Sequence, residues 1–397
     1  MEEYKTYKLG DVVNILDNKR VPLSSMQRQQ RKGIYPYYGA QGVIDYIDDY
    51  LFDGEFLLIA EDGENLKSKK QNIAQIAKGK YWVNNHAHIV ESNGLCDIQY
   101  VCYLLNLMDL SGYITGSAQP KLNQENLQKI EIRLPLLEKQ HRIAQFLNRF
   151  DSKIELNRRI NDNLEQQAQA LFKSWFVDFD PFKDGKFVNS ELGRIPEGWE
   201  ILCADEIYNI NIGKTPPRKE SVWFSETEDA NIKWISISDL ANCGTFVGSS
   251  SEYLTPQAIN KFNIIVVPSD TVLLSFKLTI GRIAIAKCSL TTNEAIARFY
   301  LPNPTYREFT YLTLKNYDYS KLGSTSSIAT AVNSKIIKNM KILFPNTKDI
   351  EKFHNTVKPI FDTIKSKSDE IDRLCELRDT LLPRLMSGEL SINTITE

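Results

Sequence analysis

Gly213, Lys214 and Thr215 invite a chemical reading, because glycine, lysine and hydroxyl in that order close the loop that cradles nucleotide phosphates. That loop requires a second glycine at position 208, where the chain has Tyr208, and Pro216 follows at once, so the reading fails. The stretch Asp270 to Lys277 has a nuclease-like outline, but Ser275 stands where an acid two residues before the lysine would hold a metal. Phe179-Asp180-Pro181-Phe182 is a distant lookalike of the Asp-Pro-Pro-Tyr signature of DNA amino-methyltransferases. No G-x-S-x-G elbow, H-E-x-x-H pair or G-x-G-x-x-G turn is present. Cys96, Cys102, Cys203, Cys243, Cys288 and Cys375 are scattered without a C-x-x-C pair, and read as reduced structural thiols rather than metal ligands. These residues describe a binder with no catalytic site, metal site or cofactor of its own.

The charges suggest what is bound. Net charge is −2, an average that hides strong segregation along the chain. Asn18 to Lys32 holds Lys19, Arg20, Arg28, Arg31 and Lys32 with no acid, and Leu66 to Lys80 holds Lys67, Lys69, Lys70, Lys78 and Lys80 with none. Asp45 to Glu64, between them, carries eight acids and no base. The basic stretches are candidate phosphate contacts, and the acidic one cannot lie flat on a duplex; a solvated face would account for any single run equally well. The polar loop Gly116 to Lys121, with Ser117, Gln119 and Lys121, has the small residues and donors that approach a base edge, although a plain connector has the same composition.

Two long helices position these stretches. Ile143, Leu147, Phe150, Ile154, Leu164, Ala168, Leu171 and Trp175 fall on one 4-3 register within Glu138 to Phe176, with Asn157 and Asn161 as polar interruptions that fix register rather than add strength. An offset of 210 reproduces the seam as Phe353, Val357, Ile360, Ile364, Lys367, Ile371, Leu374, Arg378, Leu381 and Leu385. Asn123 and Pro135 map likewise onto Asn333 and Pro345, so the chain contains a domain-sized duplication. Pro359 is expected to kink the second helix, and Pro383 to end or bend it.

Residues 1–135 read as a mixed α/β domain with strands at Phe56 to Ala60 and Tyr81 to Val83 and a helix at Gln99 to Met108. Helix 136–183 follows, then a glycine- and proline-containing linker at 184–198. A second α/β domain spans 199–345, with strands expected at Lys233 to Ile237, Ile264 to Val267, Thr271 to Phe276, Arg282 to Ala286 and Ala297 to Leu301. The second long helix, 346–390, and a tail, 391–397, complete the chain. The fold class is therefore α/β (α+β): two similar domains separated by two long helices pairing as an antiparallel coiled coil, a pseudo-two-fold internal repeat. At 397 residues and 42% hydrophobic, with no apolar run near the roughly 18 residues of a membrane span and no signal-peptide core, the expected setting is the cytoplasm, without a membrane partner.

The order and spacing of Tyr35-Pro36-Tyr37-Tyr38-Gly39-Ala40, Glu61-Asp62-Gly63-Glu64-Asn65, Gly116-Ser117-Ala118-Gln119-Pro120-Lys121-Leu122 and the run Ala170 to Phe179 resemble the specificity (S) subunit of type I restriction-modification systems, over essentially the whole chain. The resemblance implies two target-recognition domains, each reading half of a bipartite double-stranded DNA site, and spacer helices that recruit two methyltransferase (M) subunits and motor-nuclease (R) subunits. S-adenosylmethionine, ATP and Mg would serve those partners. It also implies DNA contacts at Gly116 to Lys121 and, in the second copy, at Ser326, Ser327 and Thr330, where Ala331 replaces the lysine; Lys214, Arg218, Lys277 and Arg282 are candidates to compensate. Tyr38 is a candidate for reaching the groove, and a packed tyrosine is its alternative. A free-standing DNA-binding scaffold or regulator without a methylase partner is the alternative function.

Overall fold

A computed structural model describes residues 4–68, 71–116, 119–322 and 332–392. The chain divides into two compact units, Met1–Lys153 with Arg373–Glu397, and Ile154–Asp372. Among the described residues no helix is long and apolar enough to cross a membrane.

The first unit is built on a six-stranded sheet in the order Val13–Ile15, Ala87–Ser92, Phe52–Ala60, Ala74–Val83, Lys32–Gly39, Gly42–Ile47. Phe56 to Ala60 reads as an unbroken apolar run because both faces of its strand are covered. Leu57 and Ile59 pack toward helix Ile98–Leu107 through Tyr100, Val101 and Leu105, while Leu58 joins Ala77, Tyr81 and Ile89 on the other face. The Asp97 carboxylate caps that helix by accepting from the backbone N–H of Tyr100 at 2.8 Å. Ile143 and Leu147 from the first long helix and Leu385 and Met386 from the second complete the same core.

The second unit carries a five-stranded sheet in the order Asn209–Ile212, Ile296–Tyr300, Val272–Ser275, Ile283–Ala286, Phe246–Val247, beside a smaller four-stranded sheet. Its core takes in Phe172 and Phe176 of the first long helix and Phe353, Val357, Phe361 and Ile364 of the second, with the Phe176 and Phe353 ring centroids 4.8 Å apart. The start of one helix thus meets the end of the other in the first unit and the reverse holds in the second, so the pair is antiparallel. Of the expected seam, Ile143, Leu147, Ile154, Asn157, Phe353, Val357 and Ile364 are buried, and Phe150, Asn161, Leu164, Leu171, Ile360, Ile371, Leu374 and Leu381 are half-buried. The internal repeat is visible in the sheets as well. Lys5–Lys8 pairs with Glu131–Leu134, and Glu200–Cys203 pairs with Lys341–Phe344, so each domain's first strand lies on the strand that leads into its long helix.

Two expectations are corrected, the end of the second long helix at Pro383 and a strand at Ile264 to Val267. The second long helix runs unbroken from Thr347 to Ser387. Pro383 does not end it: the Asp379 carbonyl that loses its donor sits on an exposed face, and Leu385 and Met386 anchor the last turn in the core. Ile264 to Val267 forms no strand; only Val267 bridges, to Leu290, and Ile265 and Val266 are exposed. The 184–198 linker contains a hairpin, Phe187–Ser190 with Gly193–Pro196, whose turn uses the positive φ of Gly193.

Candidate nucleic-acid interface

Glu61-Asp62-Gly63 leaves the end of Phe52–Ala60, and Asn84 to His86 enters Ala87–Ser92 beside it, so both loops emerge from one end of the six-stranded sheet. The Glu61 N–H donates to the His86 carbonyl at 2.9 Å, and the Leu122 N–H donates to the Glu61 carbonyl at 2.8 Å, which brings the segment after Gly116 onto the same rim. Thr115 and Lys121 exchange two backbone hydrogen bonds of 2.8 Å and close the intervening loop. The Asn84 N–H donates to the Tyr38 carbonyl at 3.0 Å and draws in the Tyr35 to Ala40 strand. Three phrases drawn from between Tyr35 and Leu122 therefore share one rim, where Gln41, His86, Gln119 and Lys121 are exposed.

Charges on this rim are interlocked. The buried His88 ring is hydrogen-bonded to Asp17 through Nδ1 at 2.6 Å and donates through Nε2 to the Leu122 carbonyl at 2.7 Å. Arg20 reaches Glu61 at 2.9 Å and Asp17 at 3.2 Å, and Lys121 reaches the other oxygen of Glu61 at 3.1 Å. Burial pushes the Asp17 carboxyl up, but the hydrogen bond and charge of His88, with help from Ile89 and Arg20, hold it below its ordinary range. Burial likewise opposes ionisation of Glu61, and Arg20, His88 and Lys121 outweigh it. Asp17, Glu61 and His88 also have the spacing of a metal site. Their oxygens and ring nitrogens are already engaged by Arg20, Lys121 and Leu122, so the group is a neutralised ion cluster that positions Lys121 rather than an open cation site.

The same frame recurs in the second domain, with different side chains. The Phe276 N–H donates to the Ala295 carbonyl as Glu61 does to His86, and the Asn293 N–H donates to the Ile235 carbonyl as Asn84 does to Tyr38. Asn293 and Asn84 each accept, through the side-chain oxygen, from the N–H two residues on. Phe276 thus stands where Glu61 stands, and no ion cluster can form there. Lys214, Thr215, Lys277 and Glu294 lie on this second rim, with Thr215 hydrogen-bonded to Glu294.

The candidate residues fall into distinct groups. Lys19 and Lys277 are exposed and make no ion pair among the described residues. Lys214 donates to the carbonyls of Phe262 and Asn263, and Arg282 donates to the Ile237 carbonyl at 2.8 Å. Arg218 makes two bonds to Glu252 and lies 4.4 Å from the ring centroids of both Phe224 and Trp234, so packing and pairing occupy it. Tyr38 is half-buried with its ring edge on Tyr81 at 5.4 Å. Lys67 is exposed and has an interaction partner. Lys69, Lys70, Ser117, Ser326, Ser327 and Thr330 lie outside the described residues.

The basic and acidic stretches, separate in sequence, meet in space. Arg28 and Lys32 pair with Asp45, Arg31 with Asp48 and Asp49, and Lys78 with Glu55. Much of the positive charge read as phosphate-facing is thus neutralised within the domain. Glu61, Asp62, Asn84, His86 and His88 are rim residues that sequence reasoning did not single out as a site, because turn-forming pairs such as Asp62-Gly63 and Asn84-Asn85 place loops but not their convergence.

Two copies of one strand-end frame, each tied to paired helices and each presenting different polar groups, define a duplicated recognition protein. The chain belongs to the type I restriction modification DNA specificity domain family, which matches residues 1–166 and 196–374. It is 30% identical over 336 residues to the type I restriction enzyme MjaIX specificity subunit of Methanocaldococcus jannaschii, covering 81% of this chain and 75% of that one. It is 27% identical to the type I restriction enzyme HindI specificity subunit of Haemophilus influenzae, covering 98% and 100%. In fold it is similar to the S subunit of a type I restriction-modification system from M. genitalium, with a TM-score of 0.57 at 14% identity over 97% and 96% of the two chains.

Proposed function

We propose that this chain is the non-catalytic DNA-recognition subunit of a type I restriction-modification complex. Each rim reads one half of a bipartite, asymmetric site, and the paired helices set the spacer between the halves. The observation that carries the reading is the repeated frame with unlike side chains, since readout in the major groove depends on which donors and acceptors are presented. The first long helix, at 40 residues and about 1.5 Å per residue, is about 60 Å long. That bounds the spacer at about 17 base pairs, and the real one is shorter because the domains cover the half-sites.

Adenine methylation and base flipping belong to two methyltransferase subunits with S-adenosylmethionine, and ATP hydrolysis with Mg to motor-nuclease subunits. The testing experiment sequences methylated adenines in cells with and without this chain, and in cells where residues 1–135 are exchanged for those of a relative. One half of the motif should change while the other half and the spacer stay. A chimera that alters both halves, or a palindromic native motif, would show that the domains do not read independently.

A further inference from the structure

The loop that carries Asp62 and Gly63 in the first domain has its counterpart at Lys277 and Leu278 in the second. Gly63 stands two residues beyond Glu61, and Leu278 two beyond Phe276, the pair matched by their bonds to His86 and Ala295. Both have positive φ, +124° for the glycine and +60° for the leucine. The Thr279 N–H donates to the Lys277 carbonyl at 2.6 Å across Leu278, closing a γ-turn of the strained, left-handed kind. An L-residue adopts that conformation at a cost that glycine escapes. Leu278 is nevertheless 99% exposed, so burial returns nothing for the strain.

The turn is also held rigidly. The fully buried Ser275 donates its hydroxyl to the Thr279 carbonyl at 2.7 Å and accepts from the Arg282 N–H at 3.1 Å. Its carbonyl accepts from Gly281 at 3.1 Å, and Phe276 below the turn is buried. A lone apolar side chain is thereby fixed outward on a narrow turn, beside Lys277, which lies over the Phe276 ring at 5.7 Å and makes no ion pair among the described residues.

We propose that Leu278 is a specificity-determining residue of the second recognition domain, making apolar contact with the C5-methyl group of a thymine in the major groove. Thymine alone among the four bases presents a methyl there, and aliphatic side chains read it by contact. The flanking Lys277 supplies a phosphate contact that seats the turn. This rests on the DNA-recognition reading above, under which a half-site holding a methylatable adenine also holds its thymine partner.

The test uses the full chain assembled with its methyltransferase subunits and duplexes carrying the motif found by methylation sequencing. Each thymine in the half assigned to the second domain is replaced in turn by uracil, which deletes only the methyl. The wild type should lose about threefold to tenfold in affinity at one position, and both Leu278→Ala and Leu278→Gly should bind thymine and uracil alike there. The glycine variant places at this turn the residue type the first domain uses and removes the positive-φ strain. Equal binding of thymine and uracil duplexes by the wild type, with motif still preferred over scrambled DNA, overturns the inference and leaves the recognition reading standing. Equal binding of motif and scrambled DNA removes both. Variants that keep the thymine preference but lose methyltransferase subunits place Leu278 in a protein contact and also overturn it.

Discussion

Arg378 donates through Nη1 to the carboxylate of Asp151 at 2.7 Å, joining the two long helices across 227 positions of sequence, and the other Asp151 oxygen takes the hydroxyl of Tyr103. One carboxylate thus fastens both spacer helices to the first recognition domain, since Tyr103 lies on its helix Ile98–Leu107. The ion pair is about one-third exposed, which limits it to about 0.5–1 kcal/mol, and the tyrosine bond adds about 1 kcal/mol. Asp151→Ala should therefore lower stability by about 1–2 kcal/mol in denaturant unfolding. A double-mutant cycle with Arg378→Ala should give a coupling below about 1 kcal/mol that shrinks with added salt. Coupling unchanged in high salt would mean the pair acts as a packing contact.

The second unit is fastened by Glu165, which meets Lys315 at 3.0 Å, the Tyr311 hydroxyl at 2.9 Å and the Thr245 hydroxyl at 3.1 Å. Burial pushes this carboxyl up, but the Lys315 charge and the three donors prevail and hold it below its ordinary value of 4.5. A depressed folded pKa means that its contribution is complete above 4.5 and drains away as pH falls toward the folded value. Glu165→Gln should cost about 1–3 kcal/mol at neutral pH and flatten the fall in stability below pH 4.5. Parallel acid-unfolding curves for the two proteins would contradict this.

Unpaired and paired cations should behave differently on DNA. Lys19→Ala and Lys277→Ala should each weaken binding to any sequence and reduce the salt slope by about 1, because each phosphate contact releases about one counterion. Arg28 is committed to Asp45, to the Leu23 carbonyl at 2.7 Å and to the Tyr37 ring. Arg28→Ala should leave the salt slope alone and lower the melting temperature. A changed slope for Arg28→Ala with an unchanged slope for Lys277→Ala would reverse the assignment.

These contrasts mark where sequence was sufficient. The helical seam was legible because periodicity of 3.5 residues is a local signal, and Leu147 and Phe353 fall where that period places them. The duplication was legible through Pro135 and Pro345, each of which follows the strand that leads into a long helix. The neutralisation of Arg28, Arg31 and Lys32 by Asp45, Asp48 and Asp49 was not, because charge runs carry no information about pairing across a hairpin. Nor was the strained turn at Leu278, since its φ is imposed by the Ser275 and Phe276 hydrogen bonds rather than by its own preference. Pro383, expected to end or bend the helix, does not end it, because Leu385 and Met386 hold the last turn from the core.

Gly116 lies in the loop of the first domain that Thr115 and Lys121 close, the loop proposed above to read DNA. Its φ is +84°, and a Cβ there would sit 2.2 Å from the Gln119 carbonyl oxygen. Gly116→Ala should strain the loop by about 1–3 kcal/mol and displace Lys121 from Glu61. The melting temperature should fall only slightly, because the loop is outside the core, whereas specific affinity should fall through the half-site of the first domain alone. A loss spread evenly over both half-sites, mapped with single-half mutant duplexes, would place the loop outside base recognition.

Asn157 lies at the buried middle of the seam, fully enclosed, with neither its carbonyl oxygen nor its amino group meeting a partner among the described residues. An unsatisfied buried amide costs about 1–3 kcal/mol, so Asn157→Leu should stabilise the protein by about that amount and raise its melting temperature. A polar residue at such a position fixes register at the expense of strength. The leucine variant should therefore pair its helices less selectively, and the spacer length in its methylated motifs should broaden beyond the single wild-type value. A leucine variant that is less stable than wild type, or one that is more stable with a single unchanged spacer, would remove the register role from Asn157.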